Sequence, residues 1–173
     1  MKIFICNGLP GVGKTTFQQL CKSVYEGDTY ILSTVDFVKY VASICGWDGK
    51  KTPEARKFLS DLKDLLTQWS DVPWKKIGAE LKRISQSEIF EGIHESLVFV
   101  DVREPDEIER FKNEYGAKAI LITRDGFSAE DCSNHADREV MDGKYDYIID
   151  NFGTTDDLRN TAESFIKFIF ENK

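Results

Sequence analysis

Histidine is scarce in this chain: of 173 residues only His94 and His135 carry imidazole. The cysteines Cys6, Cys21, Cys45 and Cys132 include no C-x-x-C pair. That spacing argues against a zinc site or a disulfide framework and fits a reducing compartment. Apolar runs are short, Leu97 to Val100 being typical, and none approaches the length that spans a bilayer. Met1 to Cys6 opens as a signal peptide does, but the apolar stretch stops at Asn7-Gly8 and no cleavage-type ending follows. The expectation is a cytoplasmic protein without a membrane partner. Positive charge is the minority sign, with 23 Lys and Arg against 30 Asp and Glu and a net charge of −7. A surface that tracks a nucleic-acid backbone needs the opposite balance, so no nucleic-acid partner is expected. Repeats, low-complexity tracts and linkers are absent as well.

What is present is an ordinary globular composition, with 41% hydrophobic and 31% charged residues. The length predicts one domain, residues 1–173, with room for inserted subregions. Short apolar runs alternate with helical stretches. Strands are predicted at Lys2–Asn7, Thr29–Leu32, Leu97–Asp101, Ala117–Thr123 and Asp146–Asp150. They are continuous rather than alternating runs, as befits parallel strands covered on both faces. Thr52-Pro53 reads as an N-cap and first helical turn, followed by a stripe of Phe58, Leu59, Leu62, Leu65, Leu66 and Trp69. Trp69 is expected in the core; Trp47 and Trp74 flank possible turns where they could border a base. Glu104–Tyr115 is a shorter helix, and a last one from about Thr155 carries Leu158, Ala162, Phe165, Ile166 and Ile169 on one face. Strand–helix alternation implies a doubly wound α/β sheet, with ligands beyond the carboxyl ends of its strands. The helical stretch from about Ser33 to Phe90 is too long for a simple crossover and reads as an insertion. One core accounts for the apolar stripes, so nothing demands a dimer and the oligomeric state stays open.

The most specific signal is Gly8-Leu9-Pro10-Gly11-Val12-Gly13-Lys14-Thr15, which fits G-x-x-x-x-G-K-[ST] between a predicted strand and a predicted helix. Gly8, Gly11 and Gly13 let the backbone wrap a phosphate closely. The N–H groups of these residues and of Val12, with the helix N-terminus, then face the anion. Lys14 reaches the β- and γ-phosphates of a nucleotide, Thr15 holds magnesium, and Thr16 supports the loop. A GTPase would add D-x-x-G and N-K-x-D, and neither is found. Asp101, at the tip of the third predicted strand, stands where a second magnesium-binding carboxylate belongs, or else caps the next helix. Arg103 lies over the same edge or pairs with Glu107.

Asp101-Val102-Arg103, Pro105 and Glu107 resemble the D-V-R-x-P-x-E segment of the phage-type deoxynucleoside monophosphate kinases. Gly46 to Lys51 with Glu54 to Leu59 is similar to that family's substrate-side helices, and Asn134 to Glu139 to its short lid, departing at Asp137-Arg138. Tyr147 to Gly153 is similar to its last strand and N-x-G loop. The resemblance covers most of the chain and implies a three-layer α/β P-loop kinase fold, with a five-stranded parallel sheet in the order 2-3-1-4-5. It implies an acceptor-binding insertion at about 33–92 and a lid at about 124–144. The activity implied is transfer of the γ-phosphoryl of ATP, with Mg2+, to a nucleoside or deoxynucleoside monophosphate. The resemblance further implies that Arg124 stacks on adenine or clamps the moving phosphoryl, with Lys14, Arg103 and Arg138 adding positive charge; Arg124 and Arg138 otherwise read as solvated loop charge. Asn151 and Gly153 would hold adenine through the backbone, Gly153 otherwise being a turn residue. Arg56 would meet the acceptor phosphate or be a solvated helix charge. Asp36 would contact the nucleoside, or close a capping box with Ser33, the reading preferred here. His135 is read as a surface loop residue. Base and sugar preference are not legible.

Overall fold

The computed structural model describes residues 1–92, 95–127, 140 and 143–171. The chain divides into two compact units, Met1–Ile31 with Ile93–Lys173, and Leu32–Gly92.

The first unit is built on the sheet. The strands of the sheet are β1 (Lys2–Asn7), β2 (Thr29–Ser33, its last two residues counted in the second unit), β3 (Leu97–Asp101), β4 (Lys118–Thr123) and β5 (Tyr147–Asp150), in the order β2-β3-β1-β4-β5. Pairing is parallel between β1 and β3, β1 and β4, and β4 and β5. The expected strands and their order are therefore present, with ends shifted by a residue at most. The register sets Cys6 beside Asp101, Asn7 beside Leu121 and Thr123 beside Asp150. One edge of the sheet thus gathers the carboxyl ends of its strands.

Helices α1 (Lys14–Val24), α5 (Pro105–Tyr115) and α6 (Thr155–Glu171) belong to this unit. Successive strand residues point to opposite faces. Phe4 and Cys6 of β1 join Phe17, Leu20 and Cys21 of α1 and Leu158, Ala162, Phe165 and Ile169 of α6 in one core. Within it the Phe165 ring lies 5.2 Å from Phe4 and 5.6 Å from Phe17, centroid to centroid. α5 packs against β1 and β4, burying Ile108 and Phe111. Burial of a ring such as Phe17 or Phe99 contributes about 2–3 kcal/mol.

The second unit carries α2 (Asp36–Ile44), α3 (Pro53–Ser70) and α4 (Val72–Glu91). Thr52 caps α3 as expected, its Oγ1 accepting from Ala55 N at 3.2 Å, with Pro53 in the first turn. A single residue, Asp71 at φ 55°, separates α3 from α4. The apolar stripe of α3 corrects an expectation. None of its residues is fully buried, and Trp69, expected in the core, is 82% exposed. Leu59, Leu62 and Leu66 on one edge are half-buried, while Phe58, Leu65 and Trp69 on the other edge face solvent. The stripe is wider than the surface its neighbours cover, so one core does not account for it. Trp74 is buried in the first turn of α4, and half-buried Trp47 donates its indole N–H to Lys50 O at 2.9 Å. No helix among the described residues is long and apolar enough to cross a membrane.

Candidate functional site

The segment joining β1 to α1 carries the glycine motif. Gly8, Gly11 and Gly13 have φ of 147°, 86° and 104°, which side chains resist. Space is equally restrictive. A Cβ on Gly8 would run into the Ile122 carbonyl at the end of β4, and one on Gly11 would lie 2.8 Å from the Phe127 ring. Gly13 is the N-cap of α1, and no side chain caps that helix or places an acid in its first turn. α6 contrasts with it, since Asp157 N donates to Thr154 Oγ1 at 3.3 Å while Thr154 N donates to the Asp157 carboxylate at 2.8 Å. The start of α1 thus has no capping side chain and no acid in its first turn, which suits an anion. Lys14 Nζ curls over the loop and donates to Gly8 O at 2.5 Å and Leu9 O at 2.9 Å. Thr15 and Thr16 are exposed at the start of α1.

Asp101 ends β3 as a strand residue; the N-cap of α5 is Glu104, so the helix-capping reading of Asp101 does not hold. Asp101 Oδ1 accepts from Gln18 Nε2 at 2.6 Å. Gln18 is fully buried, and its Oε1 has no hydrogen-bond partner among the described residues. A hydroxyl (Thr15) and a carboxylate (Asp101) are hard oxygen donors of the kind magnesium takes alongside phosphate. The residues present therefore fit a divalent cation. Among the described residues no group of three or more His, Cys, Asp or Glu forms a metal cage.

Asn151 was expected to touch the donor base through its backbone. Its side chain is buried and holds the loop, Nδ2 donating to Val12 O at 2.8 Å, while its own N donates to Thr123 O at 2.9 Å. Exposed Gly153 sits against the Asp157 that caps α6, where a Cβ would lie 2.5 Å from the carboxylate. Arg124 is exposed beyond β4, its guanidinium 6.0 Å from the centroid of Phe127, the ring that packs on Gly11. Arg103 is exposed beyond β3 and its carbonyl accepts from Asn7 Nδ2 at 3.4 Å. Arg138 and His135, with most of the expected lid, lie outside the described residues.

Sequence reasoning missed four participants. Asn7 receives Gly8 N on Oδ1 at 2.8 Å and donates Nδ2 to Tyr145 OH at 3.0 Å; that hydroxyl donates to Val140 O at 2.6 Å. A polar residue ending an apolar strand was the available signal for Asn7. Gln18 lies one turn beyond Lys14 on the buried side of α1, an amide where Phe17, Leu20 and Cys21 set an apolar pattern. Tyr145 and Phe127 carried no signal. The buried thiols are not nucleophiles: burial, with Asp101 beside it, pushes Cys6 strongly up, and burial pushes Cys21 up to about 12.

The second unit holds a cavity of about 310 Å³ lined by Ser33, Thr34, Asp36, Phe37, Lys76 and Glu80 among others. Lys76 Nζ rests 4.7 Å from the Phe37 ring centroid. The expected capping box at Asp36 is not made. The N-cap is Val35 with no side-chain bond, Ser33 Oγ accepts from Val35 N at 3.4 Å, and the Asp36 carboxylate pairs with Lys39 at 3.3 Å. A box needs the hydroxyl at the cap itself, and Ser33 precedes it. Arg56 is exposed in the first turn of α3, its Nε donating to Lys51 O at 3.4 Å.

No family profile and no curated protein matches this chain. Solved structures do. A provisionally assigned kinase from Chloroflexus aurantiacus is 14% identical at a TM-score of 0.53, covering 99% of this chain and 97% of that one. Shikimate kinase from Aquifex aeolicus is 13% identical at a TM-score of 0.50, over 100% of both chains. With the sheet order and the glycine loop, these likenesses define an α/β P-loop fold of the kinase type.

Proposed function

We propose that this chain is a nucleoside or deoxynucleoside monophosphate kinase, which transfers the γ-phosphoryl of ATP to the acceptor phosphate and releases ADP. The carrying observation is a glycine cradle at an uncapped helix N-terminus, with Lys14 folded over it and the β1–β3 register setting Asp101 alongside. The first unit takes the donor. Loop N–H groups and Lys14 bind its phosphates, Arg124 meets adenine or the moving phosphoryl, and Arg103 and Arg138 add positive charge. Thr15 and Asp101 would hold Mg2+, which supplies charge neutralisation at the β- and γ-phosphates. The second unit takes the acceptor, with Asp36 in its cavity contacting the nucleoside and Arg56 the phosphate.

No general base is needed. A phosphomonoester has a second pKa of about 6, so the attacking oxygen is already anionic at neutral pH. It forms the new O–P bond as the bond from γ-phosphorus to the β,γ-bridging oxygen breaks, and ADP leaves with that electron pair. Catalysis is positioning and neutralisation of crowded negative charge. The lid, at about 124–144, would exclude water that otherwise hydrolyses ATP. The chain works as one catalytic domain in the cytoplasm.

The test is coupled ADP release with magnesium-ATP and a panel of nucleoside and deoxynucleoside monophosphates. Turnover should rise with one or more of them, and Lys14→Ala should lower it by about two to three orders of magnitude. A panel in which none exceeds the ATP-only rate, while ATP still binds, sinks the acceptor assignment and favours another small-metabolite kinase or a nucleotide-binding switch.

A further inference from the structure

A buried amide needs an explanation where an apolar side chain would pack at no polar cost. Gln18 is such a case, 0% exposed in α1 between Phe17 and the Leu20–Cys21 pair. One half of its amide is satisfied by Asp101, at 2.6 Å, and the other half, Oε1, is buried with no hydrogen-bond partner among the described residues. An unpaired buried carbonyl is destabilising. The chain keeps it at the junction between the tip of β3 and the helix that begins at the phosphate loop.

We infer that Gln18 is a positioning residue for the divalent cation, its amide fixing the plane of the Asp101 carboxylate so that it meets the cation together with Thr15. The inference rests on the proposed roles of Thr15 and Asp101. Thr15 and Gln18 stand one turn apart on α1, so a single rigid element sets both donors. The chemical type of the donor matters. Lys or Arg at this position would neutralise the carboxylate and compete with the cation, whereas a neutral N–H orients it and leaves its charge intact. Leu or Met would remove this hydrogen bond from the carboxylate.

The experiment uses the whole chain with N-methylanthraniloyl-ADP as the fluorescent probe, titrated with Mg2+ and, separately, in EDTA. Gln18→Met keeps the length and removes both polar atoms. Its melting temperature in EDTA should change little, because removal of the orphaned oxygen offsets the lost bond to Asp101, and probe affinity in EDTA should be unchanged. The Mg2+ concentration for half-maximal effect should rise about tenfold, the size typical of groups that orient metal ligands. Asp101→Ala should shift it at least as far, and Gln18→Met should add nothing in that background. Gln18→Leu gives the same reading if the methionine variant fails to fold. A lowered melting temperature with an unaltered Mg2+ dependence assigns Gln18 a packing role and overturns the inference alone. An unaltered Mg2+ dependence in Asp101→Ala overturns the reading of Asp101 and the inference with it.

Discussion

Asn151 and Val12 are joined across the head of the sheet, the amide Nδ2 of the first donating to the carbonyl of the second at 2.8 Å. Asn151 follows β5 and Val12 lies within the phosphate loop, so the far side of the fold holds the loop in shape. A Val12 carbonyl turned outward would set an acceptor against an anion. Asn151→Ala is therefore expected to weaken nucleotide binding about tenfold, the equivalent of one buried hydrogen bond. Asn151→Asp should weaken it further by adding a carboxylate next to the loop. Titration with N-methylanthraniloyl-ADP reads both; equal affinity in all three proteins would refute the loop-holding role.

Gly13 and Gly49 separate strain from crowding. Both have positive φ, 104° and 84°, but a Cβ on Gly13 would lie 2.5 Å from Asn151 Nδ2, whereas one on Gly49 meets nothing within 4 Å. Gly49→Ala should cost about 1–2 kcal/mol, the backbone penalty alone. Gly13→Ala should cost more than that and abolish nucleotide binding, because it also breaks the Asn151–Val12 bond. Urea unfolding at equilibrium measures the difference, and equal costs would argue against the crowding.

Asp146 sets an acid limit on stability. Burial alone would raise its carboxyl, but a hydrogen bond from Ala119 N, with Lys112 and Lys118 beside it, outweighs burial and holds it below the ordinary value of 3.8. A depressed native value means the stabilisation is present above 3.8 and lost as pH falls through the native value. Asp146→Asn should be less stable at neutral pH and show a shallower decline on acidification. Parallel acid limbs for the two proteins, from denaturant melts at stepped pH, would count against this account.

The exposed edge of α3 predicts tolerance. Trp69→Gln should change stability by no more than about 0.5 kcal/mol, whereas Phe17→Ala, in the core under the sheet, should cost about 3–5 kcal/mol. Thermal melts suffice, and a Trp69→Gln loss comparable to that of Phe17→Ala would mean this edge is covered in solution.

The sheet was legible because its strands are continuous apolar runs. Thr52-Pro53 and the Leu158–Ala162–Phe165–Ile169 stripe needed only local information. Periodicity failed at Trp69, since it reports that a face is apolar and not how wide a neighbour covers it. Local logic failed again at Ser33 and Asp36, where the helix starts two residues later than a box requires. The phosphate loop was legible from its spacing, and Asp101 from its position at a strand tip. Gln18, Asn7 and Tyr145 were not, because each acts across the sheet. Asn7 meets residues 96 and 138 positions away, and no window along the sequence contains such pairs.

The central place of β1 also has a consequence for biosynthesis. Lys2–Asn7 leaves the ribosome well before its partners, Leu97–Asp101 and the strand beginning at Lys118. This strand must wait, with both hydrogen-bonding edges open, until β3 and β4 have been synthesised. Its long-range pairing makes for slow folding, and an apolar unpaired strand is prone to association while it waits. Shielding of the nascent β1 segment, by a chaperone or by the ribosome surface, should therefore govern the yield of this protein more than the stability of the finished fold.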